Sequence, residues 1–273
     1  MRNSKTNELV LTGLFTAIII IMAFTPLGYI PLVVINATII HIPVILGSLF
    51  CGPKKGAFLG FVFGFTSCLK ATIVGGTLSS FVFSPVLAAS LVGTSGIFKS
   101  LFIAFVPRIL VGVIPYFVYI GIKKVLASEK KNLWGTVLNV LMSVFLAFGV
   151  YAFLGKMSES LSQAAALGIG IAVGAVVFIV VEAVFIRKST QVIPFVYAGV
   201  AGAMTNTLLV MGSIFVLYKD AYADAIGVAG NAVLGVITGV ISFNGVIEAI
   251  VAAIIVYLVG FCLLYTSDAA DDK

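Results

Sequence analysis

Successive apolar runs, each close to the length of a membrane-crossing helix, constrain this chain more than any other feature. A helix needs about 20 predominantly apolar residues to cross the hydrocarbon core of a bilayer, and we predict about eight such spans. They cover residues 9–24, 37–51, 56–73, 101–126, 133–154, 164–186, 193–218 and 244–261. With 61% hydrophobic and only 10% charged residues, the composition lies far outside the range of soluble domains. The chain is therefore predicted to be an all-α polytopic membrane protein.

The lysine and arginine residues indicate how these spans are oriented. If Met1 lies inside, one side of the membrane receives Arg2, Lys5, Lys54, Lys55, Lys123, Lys124, Lys130, Lys131, Arg187 and Lys188. The opposite side receives only Lys99, Lys156 and Lys219. Basic residues accumulate in cytoplasmic loops, so this asymmetry predicts that both termini are cytoplasmic. It also accounts for the net charge of +6 without a nucleic-acid partner.

Isolated polar side chains occur within the predicted spans, where they are costly unless they line a cavity or pair with one another. Depths calculated at about 1.5 Å per helical residue place several of them at one level, in the outer leaflet. These residues are Asn36, His41, Lys70, Arg108, Asn206 and Glu248. Structural alternatives remain for each: Lys70 could extend to the outer head groups, Arg108 and Glu248 could form an ion pair, and the others could bond between helices. Their shared depth favours a cavity open to the outside.

Small residues recur at helical spacing in two of the spans. Gly56, Gly60 and Gly64 form one stripe down the third span, which favours close packing inside the helix bundle. Gly13 and Ala17 form a shorter stripe on the first span. For this second stripe, the spacing leaves both internal packing and docking to another subunit open.

The three longest outer connections are apolar and rich in glycine or proline. They comprise residues 25–35, 74–100 and 227–243. Loops of this length often act as lids over a site, although simple coverage of the surface is the alternative.

Several catalytic signatures are absent from the sequence. It contains no G-x-x-x-x-G-K-[ST] nucleotide loop, no H-E-x-x-H metal helix and no G-x-S-x-G nucleophile. The single histidine excludes a multi-histidine metal site. We therefore predict a binding or transport protein rather than an enzyme, with no cofactor and no metal.

Five segments carry a resemblance to a known family. They are residues 39–47 (IIHIPVILG), 52–60 (GPKKGAFLG), 81–85 (FVFSP), 107–112 (PRILVG) and 205–210 (TNTLLV). At these positions the chain resembles the substrate-binding S component of energy-coupling-factor (ECF) transporters, and the pantothenate-type branch in particular. The resemblance implies a six-helix core with an outer cavity that holds one vitamin. It also implies a membrane coupling subunit, two cytoplasmic ATPases and a location in the bacterial cell membrane.

The same resemblance divides the chain. Residues 1–132 correspond to core helices 1 to 4 with their outer loops, and residues 187–261 to core helices 5 and 6. Residues 133–186 are then an inserted transmembrane hairpin. Residues 262–273 resemble the translation of a sequencing adapter and are excluded from the fold prediction. The family's Ala-x-x-x-Ala contact with the coupling subunit maps onto Gly13 and Ala17.

Pantothenate is an anion with hydroxyl and amide groups, and the polar residues of the predicted site suit that chemistry. Either Lys70 or Arg108 would bind the carboxylate. The other predicted binding residues are Asn36, His41, Thr205, Asn206, Asn244 and Glu248. Another anionic vitamin would fit nearly as well, and folate or riboflavin remain open.

Two competing functions agree less well with the sequence. A stand-alone secondary transporter of a small organic anion would show repeated halves with helices broken near the midplane. The sequence has no convincing internal repeat. An intramembrane enzyme would need a paired acid and base at suitable spacing, which the sequence also lacks.

Overall fold

The computed structural model describes residues 4–31, 36–75, 79–157, 161–183 and 192–271. Most of these residues are helical, and two short antiparallel strands lie between the first two helices. The helices are α1 (Ser4–Phe24), α2 (His41–Cys51), α3 (Pro53–Ile73), α4 (Pro85–Val92), α5 (Thr94–Val111), α6 (Ile114–Leu126), α7 (Lys131–Met157), α8 (Gln163–Val181), α9 (Ile193–Ile226), α10 (Val233–Val240) and α11 (Val246–Asp271). The strands are β1 (Tyr29–Pro31) and β2 (Asn36–Thr38).

Seven helical stretches among the described residues are long and apolar enough to cross a membrane. They are Thr6–Phe24, Pro53–Ile73, Thr94–Leu126, Lys131–Gly155, Gln163–Val181, Ile193–Ile226 and Val233–Cys262. Their outer faces expose large apolar side chains such as Leu9, Phe98 and Val216, as expected of surfaces in contact with lipid. The prediction of an all-α polytopic membrane protein is confirmed.

The second predicted span, residues 37–51, is wrong at its beginning. Residues Asn36–Thr38 form a strand that pairs with Tyr29–Pro31, and the helix starts only at His41. The 11 residues of α2 cover about 16 Å, about half of the hydrocarbon thickness. Such a short helix is tolerated at membrane depth because α1, α3, α6 and α9 surround it and bury its residues from His41 to Ser48.

The described residues of the connection at 74–100 include a helix, α4, that was not predicted. Ser84 caps α4 by accepting a hydrogen bond from the amide of Leu87, and Pro85 occupies the first turn. Gly93 ends the helix with φ of 76°, a conformation that glycine adopts without strain. The fourth span then begins at Thr94 instead of residue 101.

The connection at residues 227–243 also contains helix. The seventh predicted span, 193–218, ends where the backbone of α9 departs from helical geometry, at Tyr218. The helix resumes beyond this break and continues to Ile226, where Gly227 caps it with φ of 70°. α10 follows, and a π-helical turn at Ile241–Gly245 joins it to α11.

The glycine stripe of α3 packs against α5. A Cβ atom at Gly56, Gly60 or Gly64 would lie 2.0 Å, 2.1 Å or 2.6 Å from a backbone carbonyl oxygen of Gly112, Arg108 or Ala104, respectively. Backbones can approach this closely only where no side chain intervenes, as the packing interpretation of this stripe requires. The crossing fixes the position of the α5 backbone at Arg108.

Helices α7 and α8 pack on each other through small residues. A Cβ atom at Gly170 would lie 2.6 Å from the carbonyl oxygen of Ala147, and one at Gly174 would lie 2.9 Å from that of Ser143. The Tyr197 hydroxyl on α9 donates a hydrogen bond to the carbonyl of Leu138 on α7, which ties this pair to the rest of the bundle.

Candidate functional site

Glu248 is the centre of a buried polar cluster. Its side chain is only 5% exposed, yet both carboxylate oxygens are hydrogen-bonded. The backbone amide of Thr38 donates to Oε1 over 2.7 Å, and the Thr207 hydroxyl donates to Oε2 over 2.9 Å. Glu248 therefore connects β2, α9 and α11.

Arg108 is a second buried charged residue and is 6% exposed. The Glu248 carboxylate experiences the positive charge of Arg108. The guanidinium carbon lies 4.6 Å from the ring centroid of Phe83 and 5.5 Å from that of Phe63. These aromatic faces stabilise a cation that has been removed from water.

Proline at position 107 explains how the Arg108 side chain is oriented. Pro107 lies inside α5 and has no amide hydrogen, so it cannot donate to the carbonyl four residues earlier. That carbonyl belongs to Ile103, and Arg108 Nη1 donates to it over 2.6 Å. The guanidinium thus supplies the hydrogen-bond donor that the proline cannot give to this carbonyl oxygen.

Three of the other predicted site residues are buried with incomplete hydrogen bonding among the described residues. His41, at the start of α2, is fully buried; the Thr38 backbone lies close to it, but neither ring nitrogen has a hydrogen bond of good geometry. Asn206 and Asn244 are 7% and 5% exposed, and neither Oδ1 atom has a donor. Buried acceptors of this kind are costly, so each of these groups needs a partner such as a water molecule, an ion or a ligand.

The π-helical turn at Ile241–Gly245 carries Asn244. A π turn contains one more residue than an α turn, and such turns occur frequently at functional sites. Beside Asn244, a Cβ atom at Gly245 would lie 3.0 Å from the Cγ2 atom of Thr207. The turn therefore packs closely against α9 next to the Thr207–Glu248 hydrogen bond.

The remaining predicted site residues make other contacts. Lys70 Nζ donates to the carbonyl of Ala23 over 2.9 Å, at the last turn of α1. The Thr205 hydroxyl donates to the carbonyl of Ala201 within its own helix over 2.6 Å. The backbone of Asn36 pairs with that of Pro31, whereas its side chain lies outside the described residues.

The sequence prediction missed Thr207 and the two aromatic residues beside Arg108. Thr207 follows directly after Thr205 and Asn206, which were both predicted to bind the substrate, and its side chain is the one that reaches Glu248. Phe83, in the FVFSP segment, could have been predicted as a contact of Arg108, because aromatic rings are frequent partners of buried arginines.

Two cavities lie away from this cluster. One, of about 480 Å³, lies between α7, α8, α9 and α11. The other, of about 500 Å³, lies between the α7–α8 turn and α10. Buried charge and open hydrogen-bonding capacity, rather than cavity size, therefore identify the candidate site.

Comparison with known proteins assigns the family. Residues 7–186, which extend from the first turn of α1 through α8, match the family model described as "ECF transporter, substrate-specific component". The chain is 42% identical over 161 residues to the Pantothenic acid transporter PanT of Lactococcus lactis subsp. cremoris, which covers 55% of this chain and 78% of that protein. It is 37% identical over 119 residues to the Pantothenate transporter PanT of Leuconostoc mesenteroides subsp. mesenteroides, covering 42% of this chain and 51% of that protein.

This family consists of transport subunits rather than enzymes, and a buried polar cluster inside an apolar helix bundle suits the binding of a small polar nutrient. The chain belongs to the family of substrate-specific components of ECF transporters, the vitamin-binding membrane subunits of those systems.

Proposed function

We propose that this chain binds pantothenate, or a closely related anionic vitamin, at its outer side and delivers it to the cytoplasm. The observation that carries the proposal is the 42% identity to a protein named as a pantothenic acid transporter, over 78% of that protein's length. The polar cluster around Glu248 and Arg108 supplies groups of the required chemistry.

Arg108 is the proposed partner of the vitamin's carboxylate. Its guanidinium can form two parallel hydrogen bonds to a carboxylate. The carbonyl of Ile103 and the rings of Phe83 and Phe63 orient it in advance, which reduces the entropy lost on binding. Lys70, the alternative cation, is engaged with the end of α1.

Asn206 and Asn244 complement the uncharged part of the ligand. Pantothenate carries hydroxyl groups and an amide N–H, which are all hydrogen-bond donors. Each asparagine has a buried Oδ1 atom without a donor among the described residues. Binding would therefore satisfy acceptors that are costly when left alone.

The strand pair of β1 and β2 is the proposed lid. It lies in the outer connection after α1, and the hydrogen bond from the Thr38 amide to Glu248 anchors it to α11. Because this bond joins the strand pair to the centre of the polar cluster, its making and breaking would control access to the vitamin.

Transport is proposed to require a membrane coupling subunit and two cytoplasmic ATPases, which hydrolyse ATP on behalf of this chain. Gly13 and Ala17 on α1 are the proposed contact with the coupling subunit. Residues 133–186 would be a hairpin added to the outside of the core. Both termini would lie in the cytoplasm of a bacterial cell, as the distribution of basic residues indicates.

Native mass spectrometry of the purified protein tests the ligand directly, because a retained vitamin is identified by its mass. Titration of Arg108→Gln with pantothenate tests the site. Loss of a charge-assisted hydrogen bond is worth about 1.5–3 kcal/mol, so the affinity should fall by roughly tenfold to a hundredfold. Lys70→Gln is the matched control and should change the affinity little.

Unchanged affinity in both variants, or a larger loss in Lys70→Gln, would refute the assignment of Arg108. Transport by the chain alone in liposomes would instead favour a stand-alone carrier over an ECF subunit.

A further inference from the structure

The cavity between α7, α8, α9 and α11 has a shape and lining that differ from those of the polar cluster. We call it the side groove; it is lined by apolar side chains that include Phe145, Val177, Val196 and Ile254. Its volume is about 480 Å³. On α7 its lining extends from Gly135 to Val150, which is about 22 Å along the helix axis. The side groove is thus elongated and parallel to the spanning helices.

The side groove is open towards the surroundings of the bundle. Val173 on α8 and Ile254 on α11 both line it, and they remain 38% and 53% exposed. Both residues lie in helices that are long and apolar enough to span the membrane. An open apolar groove at this depth is in contact with lipid acyl chains rather than with water.

Asn139 is a polar residue among those that line the side groove. Asn139 on α7 is 4% exposed, and its amide nitrogen donates to the carbonyl of Phe178 and to Glu182, each over 3.0 Å. These bonds fix the orientation of the amide, and its Oδ1 atom has no donor among the described residues. These polar atoms are buried, so the surface that the side groove presents to an occupant is almost entirely apolar.

Four lysines lie in or beside the α6–α7 turn, at one end of the side groove. Lys123 and Lys124 lie in the last turn of α6, Lys130 and Lys131 precede or begin α7, and all four are exposed. Gly135, which lines the groove, is only one helical turn beyond Lys131. Leu126 of α6 packs with Ile193, another lining residue, so the turn lies at this end of the groove.

Two acidic residues lie in the same region, and they leave the balance positive. Glu129 is in the turn itself, and Glu182 is held by Thr136 and Asn139. Basic sites between membrane helices on the cytoplasmic side bind the head groups of anionic lipids.

We propose that the side groove binds one anionic phospholipid, such as phosphatidylglycerol. Its acyl chain lies along α7, α9 and α11, and its phosphate contacts the lysines of the α6–α7 turn. This site is separate from the vitamin site and does not depend on the identity of the vitamin.

The single tryptophan of the chain provides a local reporter. Trp134 is adjacent to Gly135 and 44% exposed, so bromine atoms on a nearby acyl chain should quench its fluorescence. The full chain is placed in phosphatidylcholine vesicles that contain a minor fraction of brominated phosphatidylglycerol, or the same fraction of brominated phosphatidylcholine. The proposal expects several-fold stronger quenching by brominated phosphatidylglycerol. Equal quenching by both lipids would overturn it.

Substitutions in and beside the side groove test whether the stronger quenching by brominated phosphatidylglycerol arises there. Val177→Phe narrows the side groove and should bring the two quenching levels together, whereas Val176→Phe, on a residue that is 60% exposed and does not line the groove, should not. Equal effects of these two variants would overturn the groove as the site. The comparison of the two lipids on the unmodified chain needs no substitution and remains decisive if Val177→Phe fails to fold.

The lysines are tested in the same way. Replacing Lys130 and Lys131 by glutamine should reduce the preference for phosphatidylglycerol by about fivefold per lysine. The control is the same replacement of Lys54 and Lys55 at the start of α3, which should leave the preference unchanged. An equal reduction by both pairs would show a general attraction to the surface and refute the site.

Discussion

Helices α1 and α3 carry the same spacing of small residues, but their surroundings in the structure differ. Gly56, Gly60 and Gly64 of α3 are buried against backbone atoms of neighbouring segments. Gly13 of α1 has no heavy atom within 4 Å of the position its Cβ would take, and both Gly13 and Ala17 are exposed. The same motif can therefore close a bundle from within or leave a smooth surface for another protein, and only the neighbours distinguish the two.

The largest effect on stability is expected from a side chain added to the buried glycine stripe of α3. In Gly60→Val, the new Cβ would lie 2.1 Å from the carbonyl oxygen of Arg108, and backbone atoms cannot move aside as side chains do. Overpacking of this kind costs about 1–3 kcal/mol, so the thermal unfolding midpoint in detergent should fall. Vitamin affinity should fall as well, because α5 carries Arg108.

Gly121→Val is the control for this prediction, since no heavy atom lies within 4 Å of that Cβ position. Equal unfolding midpoints for the two variants would contradict the close contact between α3 and α5.

Substitutions in the exposed stripe of α1 are expected to reduce vitamin uptake rather than stability. Gly13→Leu combined with Ala17→Leu should leave folding and vitamin binding unchanged, because neither position faces the bundle. Uptake by the chain together with the proposed coupling subunit and ATPases should fall by at least about tenfold, which corresponds to about 1.4 kcal/mol lost at the contact. The measurement is uptake of radiolabelled vitamin into cells.

Gly121→Leu, a substitution at another exposed helical glycine, should leave uptake intact. Unchanged uptake in the double variant, or a parallel loss of vitamin binding, would show that the α1 stripe is not a docking surface.

The smallest effect is expected at the Gly56 end of the glycine stripe on α3. The fully buried Ser48 hydroxyl donates to the carbonyl of Gly112 over 2.6 Å, beside Gly56. Ser48→Ala should reduce the free energy of unfolding by about 1 kcal/mol, since a buried carbonyl loses a hydrogen bond. Chemical denaturation measures this change. Ser128→Ala removes an exposed hydroxyl bond to Val125 and is the control; if the two variants behave alike, the buried bond is not stabilising.

Hydropathy predicted the spanning helices because lipid demands long apolar segments, but it could not resolve shorter elements. The strand at Asn36–Thr38 depends on pairing with Tyr29–Pro31, and an apolar run alone does not distinguish a short strand from a helix. By contrast, local signals for α4 were present: a serine cap at Ser84, Pro85 in the first turn and Gly93 at the end. These signals were missed because the segment was interpreted as a loop.

For the candidate site, the sequence predicted how deep each polar side chain lies in the membrane, but not which side of its helix it occupies. The rise along each helix placed Arg108, Asn206 and Glu248 at one level, and all three side chains are buried in the structure. Neighbouring residues on a helix differ in direction by about 100°, so depth alone could not select Thr207 over Thr205 as the partner of Glu248. The contact of Lys70 with Ala23 likewise depends on where α1 ends, which no local pattern specifies.

The hydrogen bond from Thr38 to Glu248 uses a main-chain donor, and this determines which mutations can remove it. Every amino acid except proline supplies the same N–H group, so the identity of residue 38 is nearly free as far as this bond is concerned. The acceptor has no such freedom, because it depends on the side chain at position 248. If the strand pair is the proposed lid, random mutagenesis that selects for a lid that closes incompletely should therefore recover many substitutions of Glu248 and, at position 38, mainly proline.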